Sequence, residues 1–154
     1  KALGGASGGY TSGRREIIDW LRQCSRPYLF SNTLAPSIAS ASNKVIEMMR
    51  DNNLRMKLRT NAAHFRKGLA QGGFKLIPGE HPIIPVMIGD AGLATRVADA
   101  LLQEGIYAIG FSFPVVPKGQ ARIRTQVSAA HSVADLDQAT QAFVRVGKNL
   151  GIIP

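Results

Sequence analysis

Apolar residues recur at helical spacing in five stretches of the chain, which predicts five helices. Pro36 suits the first turn of the second helix, and Gly105 suits the end of the fourth. Ser132 and Asp135 form a capping-box-like start for the last helix. The predicted helices cover residues 13–25, a stretch beginning near 36, 53–72, 93–105 and 132–150.

Shorter apolar runs in the second half of the chain predict strands. Ile123, Thr125 and Val127 alternate with polar residues, a pattern that is typical of a half-buried strand. The predicted strands cover residues 74–77, 83–88, 106–111 and 121–128, and residues 28–33 are predicted as a strand end or loop. The fold class is therefore α/β, with a boundary near the Pro36 helix and a small sheet that carries helices on one side.

Composition excludes several classes of protein. The 154 residues are 45% hydrophobic and 19% charged, which is typical of a globular chain. No stretch reaches the roughly 18 apolar residues that span a bilayer. A single cysteine, Cys24, excludes an internal disulfide and favours a reducing compartment.

The net charge of +9 is compatible with binding to nucleic acid or to a membrane surface. A stand-alone basic binding module is a further alternative to an enzyme. The basic residues are dispersed, and no aromatic residues alternate with them as a stacking platform for bases would require. The pattern therefore favours a solvated basic surface.

Candidate chemistry is sparse when residue types are considered alone. His64, His81 and His131 have no partner at a metal-ligand spacing, so no metal site is predicted. Arg122 and Arg124 share one face of a predicted strand, where they form either a solvated edge or a clamp for a carboxylate. The glycine-rich opening, residues 4–9, is either a linker or a loop whose backbone approaches a ligand.

Three segments in the same order resemble the α-oxoamine synthases, a family of fold-type I pyridoxal-phosphate enzymes. Residues 1–10 (KALGGASGGY) resemble the segment around the family's cofactor-binding lysine. Residues 26–36 (RPYLFSNTLAP) resemble its subunit-interface loop. Residues 111–124 (FSFPVVPKGQARIR) and 128–131 (SAAH) resemble its substrate-carboxylate strand and the exit from it. Residues 81–90 and 115–120 favour members that act on glycine and acetyl-CoA over those that make aminolevulinate, 8-amino-7-oxononanoate or ketosphingoid bases.

The resemblance implies a role for four residues. Lys1 would bind pyridoxal 5'-phosphate as a covalent imine and then act as the catalytic base. Ser31 and Asn32 would contact the cofactor phosphate of a partner subunit in a homodimer. Arg124 would bind the carboxylate of glycine. From the residues alone, Lys1 could equally be an exposed tail lysine, and Ser31 and Asn32 an ordinary polar turn.

The resemblance also implies an arrangement of domains and a cellular setting. Residues 1–35 would end a large cofactor-binding domain, and residues 36–154 would form connecting helices and a small C-terminal α/β domain. The histidine and aspartate that hold the cofactor ring in the family would lie upstream of Lys1, so activity is not expected without that domain. Threonine dehydrogenase would be a metabolic partner in threonine catabolism, and the location would be cytoplasmic in a bacterium or mitochondrial in a eukaryote.

Overall fold

Six helices and one three-stranded sheet make up residues 7–154, the part of the chain that the computed structural model describes. The chain divides into two units, Lys1–Asn52 and Asn53–Pro154. The predicted boundary at residues 35 and 36 concerns the domains of a longer protein and stays a prediction.

The first unit contains three helices: α1 (Arg15–Cys24), α2 (Arg26–Phe30) and α3 (Pro36–Met48). The prediction of a strand end or loop from residue 28 is wrong for residues 28–30, which belong to α2. Pro27 lies in the first turn of α2, where its missing N–H group is not needed for an intrahelical hydrogen bond. The extended backbone begins only at Ser31, with φ −110° and ψ 152°.

Residues 7–52 bury almost none of their apolar side chains. Within this range Ser42 is the one buried residue. Large rings are exposed on α1 and α2, with Trp20 70% and Phe30 80% accessible. The described part of the first unit therefore lacks an apolar core of its own.

The second unit is a helix-covered antiparallel sheet. Its elements are α4 (Asn53–Gln71), β1 (Ile83–Gly89), α5 (Ala91–Gln103), β2 (Ile109–Phe111), β3 (Ala121–Gln126) and α6 (Val133–Asn149). The strand order is β1-β3-β2, so β3 is central and pairs with both neighbours. No helix among residues 7–154 is both long and apolar enough to cross a membrane.

Residues 74–77, predicted as a strand, make only an isolated bridge between Leu76 and Val86. The Pro85 carbonyl accepts a hydrogen bond from the Ile77 N–H at 3.4 Å. A strand residue directs its N–H and C=O groups to the same side, and Pro85 has no N–H to return. The missing donor interrupts the ladder at this point.

The strand predicted at residues 106–111 is shorter than expected: β2 begins at Ile109, and Ile106 instead takes part in the turn that closes α5. Gly105 takes a positive φ of 79°, which glycine adopts without steric cost. The N–H groups of Gly105 and Ile106 donate to Leu102 O at 3.0 Å and Leu101 O at 2.8 Å. This double hydrogen bond is a Schellman motif, and it keeps Ile106 out of the sheet.

The core lies between one face of the sheet and the helices. Along β3 the side chains of Ala121, Ile123 and Thr125 are buried, while those between them are more accessible, as the alternation predicted. The buried apolar residues of this unit are Ala62, Phe65, Leu69, Phe74, Ile84, Val86, Ala94, Val97, Leu101, Ala121, Ile123, Val127, Leu136, Ala142, Phe143, Val146 and Ile153. The predicted α/β fold, with helices packed on a small sheet, is confirmed.

The start of α6 is closed by the predicted capping box. Ser132 N–H donates to the Asp135 carboxylate at 2.8 Å, and Asp135 N–H donates to the Ser132 hydroxyl at 3.1 Å. The hydrogen bond from the Ser132 backbone is the main reason that the pKa of Asp135 lies below its ordinary value. The carboxylate form of Asp135 therefore stabilises the start of the helix.

Candidate functional site

The candidate residues fall in both units, and the first of them, Lys1, lies outside the described residues with the rest of residues 1–6. Its predicted role as the cofactor lysine stays a prediction. The description of the first unit starts at Ser7, within the glycine-rich motif.

A cleft of about 750 Å³ lies within the first unit and joins two of the predicted motif segments. One wall comes from residues 9–11 and another from residues 31–34, with side chains of α1 and α2 between them. Its lining residues are Gly9, Tyr10, Thr11, Ile18, Leu21, Arg22, Ser25, Pro27, Tyr28, Ser31, Asn32, Thr33 and Leu34. Ser31 and Asn32 thus share the cleft with Gly9 and Tyr10, the described end of the glycine-rich motif.

Gly8, in the described end of the glycine-rich motif, lies against Leu34 of the predicted interface loop. Gly8 has a positive φ of 89°, and a Cβ atom added to it would overlap the Leu34 side chain. The positive φ favours glycine at this position. Any larger residue would also require the end of the Leu34 side chain to move.

The cleft contains polar side chains that can donate hydrogen bonds to a ligand. Ser31 and Asn32 are exposed, and within residues 7–154 neither side chain has a hydrogen-bond partner. Thr11, Thr33 and Arg22 line the same cleft. Hydroxyl, amide and guanidinium groups of this kind donate to phosphate oxygens. The donor set therefore fits an anionic phosphate group.

In the second unit, Arg122 and Arg124 lie on the sheet face opposite the core, as predicted. Arg122 is half-buried, and its guanidinium is engaged, with Nε 3.0 Å from Gln120 O and Nη2 3.2 Å from Gln120 Oε1. Arg124 is exposed, and it forms no hydrogen bond or ion pair with any residue of the described part. The two arginines share a sheet face. The guanidinium of Arg122 is hydrogen-bonded to Gln120, whereas that of Arg124 has no hydrogen-bond partner among the described residues.

The chain leaves β3 through a turn that a buried amide holds in place. Asn61 on α4 is only 4% accessible, and its Nδ2 donates to Ser128 O at 3.0 Å and His131 O at 2.9 Å. These bonds fix residues 128–131, the exit segment of the carboxylate-strand motif, against α4. The sequence analysis did not identify Asn61. An amide within an apolar helical stripe does indicate a buried polar group that needs hydrogen-bond partners.

Each histidine has a protein partner. His64 Nε2 lies 2.6 Å from Asp137 Oδ1, which links α4 to α6. The ring nitrogens of His81 and His131 accept backbone N–H groups from Ile83 and Ser128. Within residues 7–154, no group of three or more His, Cys, Asp or Glu side chains is placed to hold a metal ion.

The fold and the order of these segments define the class of protein: the chain belongs to the aminotransferase class I and II family, which it matches over residues 1–143. The chain is 58% identical over 99% of its length to the 2-amino-3-ketobutyrate coenzyme A ligase of Escherichia coli K12. It is 49% identical over its whole length to the mitochondrial enzyme of that name in Homo sapiens. It is 43% identical over 97% of its length to an 8-amino-7-oxononanoate synthase of Thermosipho melanesiensis.

Solved structures agree with this family. A serine palmitoyltransferase of Sphingomonas wittichii superposes with a TM-score of 0.80 at 29% identity, over 91% of this chain and 36% of that one. A high-resolution structure described as SPT with PLP internal aldimine gives a TM-score of 0.81 at 29% identity, over 90% of this chain and 36% of that one. These relatives confirm the predicted resemblance to the α-oxoamine synthases.

The chain spans about two fifths of the length of its curated relatives, 39% for the Escherichia coli protein and 37% for the human one. The matched region is the C-terminal part of the family, as the order of the motifs predicted.

Proposed function

We propose that this chain is the C-terminal part of a glycine C-acetyltransferase, also called 2-amino-3-ketobutyrate CoA ligase. The enzyme condenses glycine with acetyl-CoA and releases 2-amino-3-oxobutyrate and CoA. The observation that carries the proposal is the 58% identity that extends over nearly the whole chain to an enzyme of that name. The family membership favours an enzyme over a nucleic-acid-binding protein or a stand-alone basic module.

The proposed cofactor is pyridoxal 5'-phosphate, and the first unit supports it with the chemistry of its cleft. Thr11, Ser31, Asn32 and Thr33 place hydroxyl and amide donors in one cleft of about 750 Å³, which Gly9 and Tyr10 also line. Such donors suit a phosphate group. For Ser31 and Asn32 this would be the phosphate of the partner subunit's cofactor, whereas Lys1 would hold the cofactor of its own subunit. When bound, pyridoxal phosphate supplies an electron sink that acidifies the α-proton of an amino acid.

Lys1 would hold the cofactor through its Nζ atom. The free Nζ of Lys1, as the neutral amine, would take a proton from the α-carbon of glycine. That carbon would then bond to the acetyl carbonyl carbon as the bond to the CoA sulfur breaks, and the proton taken by Lys1 would pass to the departing thiolate of CoA. Lys1 thus has two tasks, to hold the cofactor and to move one proton.

Arg124 would bind the glycine carboxylate. Its guanidinium is exposed and unengaged within the described residues, and its planar fork meets both carboxylate oxygens at once. Fixing the carboxylate also sets the direction of the C–H bond that Lys1 breaks. Arg122 is less suited, because Gln120 already holds its guanidinium.

Ser31 and Asn32 would contact the cofactor phosphate of the partner subunit, so the enzyme would be an obligate homodimer. The exposed rings of Trp20 and Phe30 give the first unit an apolar surface consistent with burial in a larger assembly. Sedimentation of the active holoenzyme tests this, and a fully active monomer would end the proposal.

The cellular role follows from the proposed activity. The enzyme would act in threonine catabolism, with threonine dehydrogenase as its metabolic partner. Its location would be cytoplasmic in a bacterium and mitochondrial in a eukaryote, as the mitochondrial relatives suggest.

The proposal is tested by measuring CoA release from the natural-length protein with paired substrates. Glycine with acetyl-CoA should give the highest kcat/KM. The second candidate is another α-oxoamine synthase, favoured by the 43% identity to an 8-amino-7-oxononanoate synthase. Faster CoA release from a dicarboxylic acyl-CoA with alanine, or from succinyl-CoA with glycine, would replace the first proposal by the second.

A further inference from the structure

The aromatic side chain of Phe111 lies against the arginine proposed to bind the substrate, and no role for this ring follows from the proposed function alone. The centroid of the Phe111 ring is 5.5 Å from Cζ of Arg124. This distance is within the range of a cation–π interaction, in which the negative face of a ring attracts a guanidinium. Phe111 is half-buried at the end of β2, while the arginine is exposed on the central strand β3.

The strand register shows that this contact is selective. Phe111 is directly opposite Arg122, and Ile109 is directly opposite Arg124. The ring nevertheless contacts the diagonal arginine, because long and aromatic side chains reach a diagonal neighbour across a strand pair. Gln120 holds the guanidinium of Arg122 by two hydrogen bonds, which leaves the ring to Arg124.

We infer that Phe111 is a positioning residue for Arg124 in substrate binding, an inference that rests on the proposed function. The ring limits the orientations of a guanidinium that has no hydrogen-bond or ion-pair partner among the described residues. It does so without using the N–H groups that must meet the carboxylate, because a cation–π contact consumes no donor. An acidic partner would orient the same side chain but would compete with the substrate for its donors.

A second aromatic ring, Phe113 in the segment between β2 and β3, provides a matched control. The Phe113 ring centroid lies 5.1 Å from Lys118 Nζ, and Phe113 is 60% accessible. It thus makes the same type of contact, two residues further along the chain, with a cation that has no proposed role in glycine binding. Removing this ring should leave Arg124 unchanged.

The test uses the natural-length holoenzyme with Phe111→Leu, Phe111→Tyr and Phe113→Leu. Phenylglyoxal labels arginine guanidinium groups, and peptide mapping gives the labelling rate of Arg124 relative to Arg122 in the same molecule. Phe111→Leu should raise this ratio about two- to fivefold, the factor expected for an exposed cation–π contact. The KM for glycine should rise by a similar factor, with little change in the KM for acetyl-CoA. Phe111→Tyr keeps an aromatic ring, so its labelling ratio and its KM for glycine should stay close to those of the unmodified protein. Phe111→Met replaces Phe111→Leu if the leucine variant is insoluble.

The two readouts separate the inference from the function on which it rests. An unchanged labelling ratio in Phe111→Leu, or an equal rise in Phe113→Leu, would overturn the role of Phe111 whatever the substrate is. Glycine should also protect Arg124 of the unmodified protein from phenylglyoxal. Failure of that protection would contradict Arg124 as the carboxylate residue, and with it the role of Phe111 in substrate binding.

Discussion

Replacing Arg124 with lysine should raise the KM for glycine by about one to two decades, because a charge-assisted contact contributes roughly 1.5–3 kcal/mol. Lysine keeps the positive charge but loses the planar fork that meets both carboxylate oxygens. The KM for acetyl-CoA should change little, since the carboxylate belongs to the other substrate. Turnover should fall as well if the carboxylate sets the angle of the breaking C–H bond.

The control for this prediction is Arg122→Lys, which should raise the KM for glycine less than Arg124→Lys does. Arg122 lies on the same sheet face, but its guanidinium is held by Gln120 O at 3.0 Å and Gln120 Oε1 at 3.2 Å. Steady-state kinetics with both substrates varied distinguishes the two arginines. A near-normal glycine dependence in Arg124→Lys, or a larger defect in Arg122→Lys, would reverse the assignment.

Phe143→Ala should cause a large loss of stability, lowering the free energy of unfolding by about 3–5 kcal/mol. Phe143 is 1% accessible and lies at the centre of the helix-covered core. Its ring meets Phe65 at a centroid distance of 6.1 Å and Phe74 at 5.9 Å, both edge to face. Truncation would leave a cavity and remove both ring contacts, since a packed core relaxes only partly.

Urea denaturation followed by circular dichroism measures this loss. The matched control is Tyr107→Ala, an aromatic truncation at a side chain that is 80% accessible, which should change the free energy by less than about 0.5 kcal/mol. Equal shifts of the two urea midpoints would show that the Phe65, Phe74 and Phe143 cluster does not hold the second unit together.

Regular patterns in the sequence predicted most elements of the second unit. The alternation along β3 identified its buried face, and Ser132 with Asp135 identified the start of α6. The errors occur where hydrogen bonds outside the local pattern decide the structure. Pro85 interrupts a ladder that residues 74–77 would otherwise extend, and the Schellman bonds of Gly105 shorten β2.

The sequence pattern predicted less of the candidate site than of the fold. Alternation places Arg122 and Arg124 on one face and cannot separate them, because the difference lies in side-chain contacts with Gln120 and Phe111. The role predicted for Lys1 rests on the resemblance of residues 1–10 to a family motif, since a lysine in a glycine-rich segment has no distinguishing periodicity. Ser31 and Asn32 line one cleft with Thr11, and the sequence pattern does not show this grouping because the segments are separated along the chain.

Lys1 is the residue proposed to bind pyridoxal phosphate, and borohydride reduction of the natural-length holoenzyme distinguishes it from every other lysine. Reduction converts the linkage between cofactor and lysine into a stable amine, which survives proteolysis and can be located by peptide mass mapping. We expect the added cofactor mass on Lys1, in the peptide that continues with Ala2 and Leu3. Cofactor mass on a different lysine, or no labelled peptide from a protein shown to contain the cofactor, would contradict it.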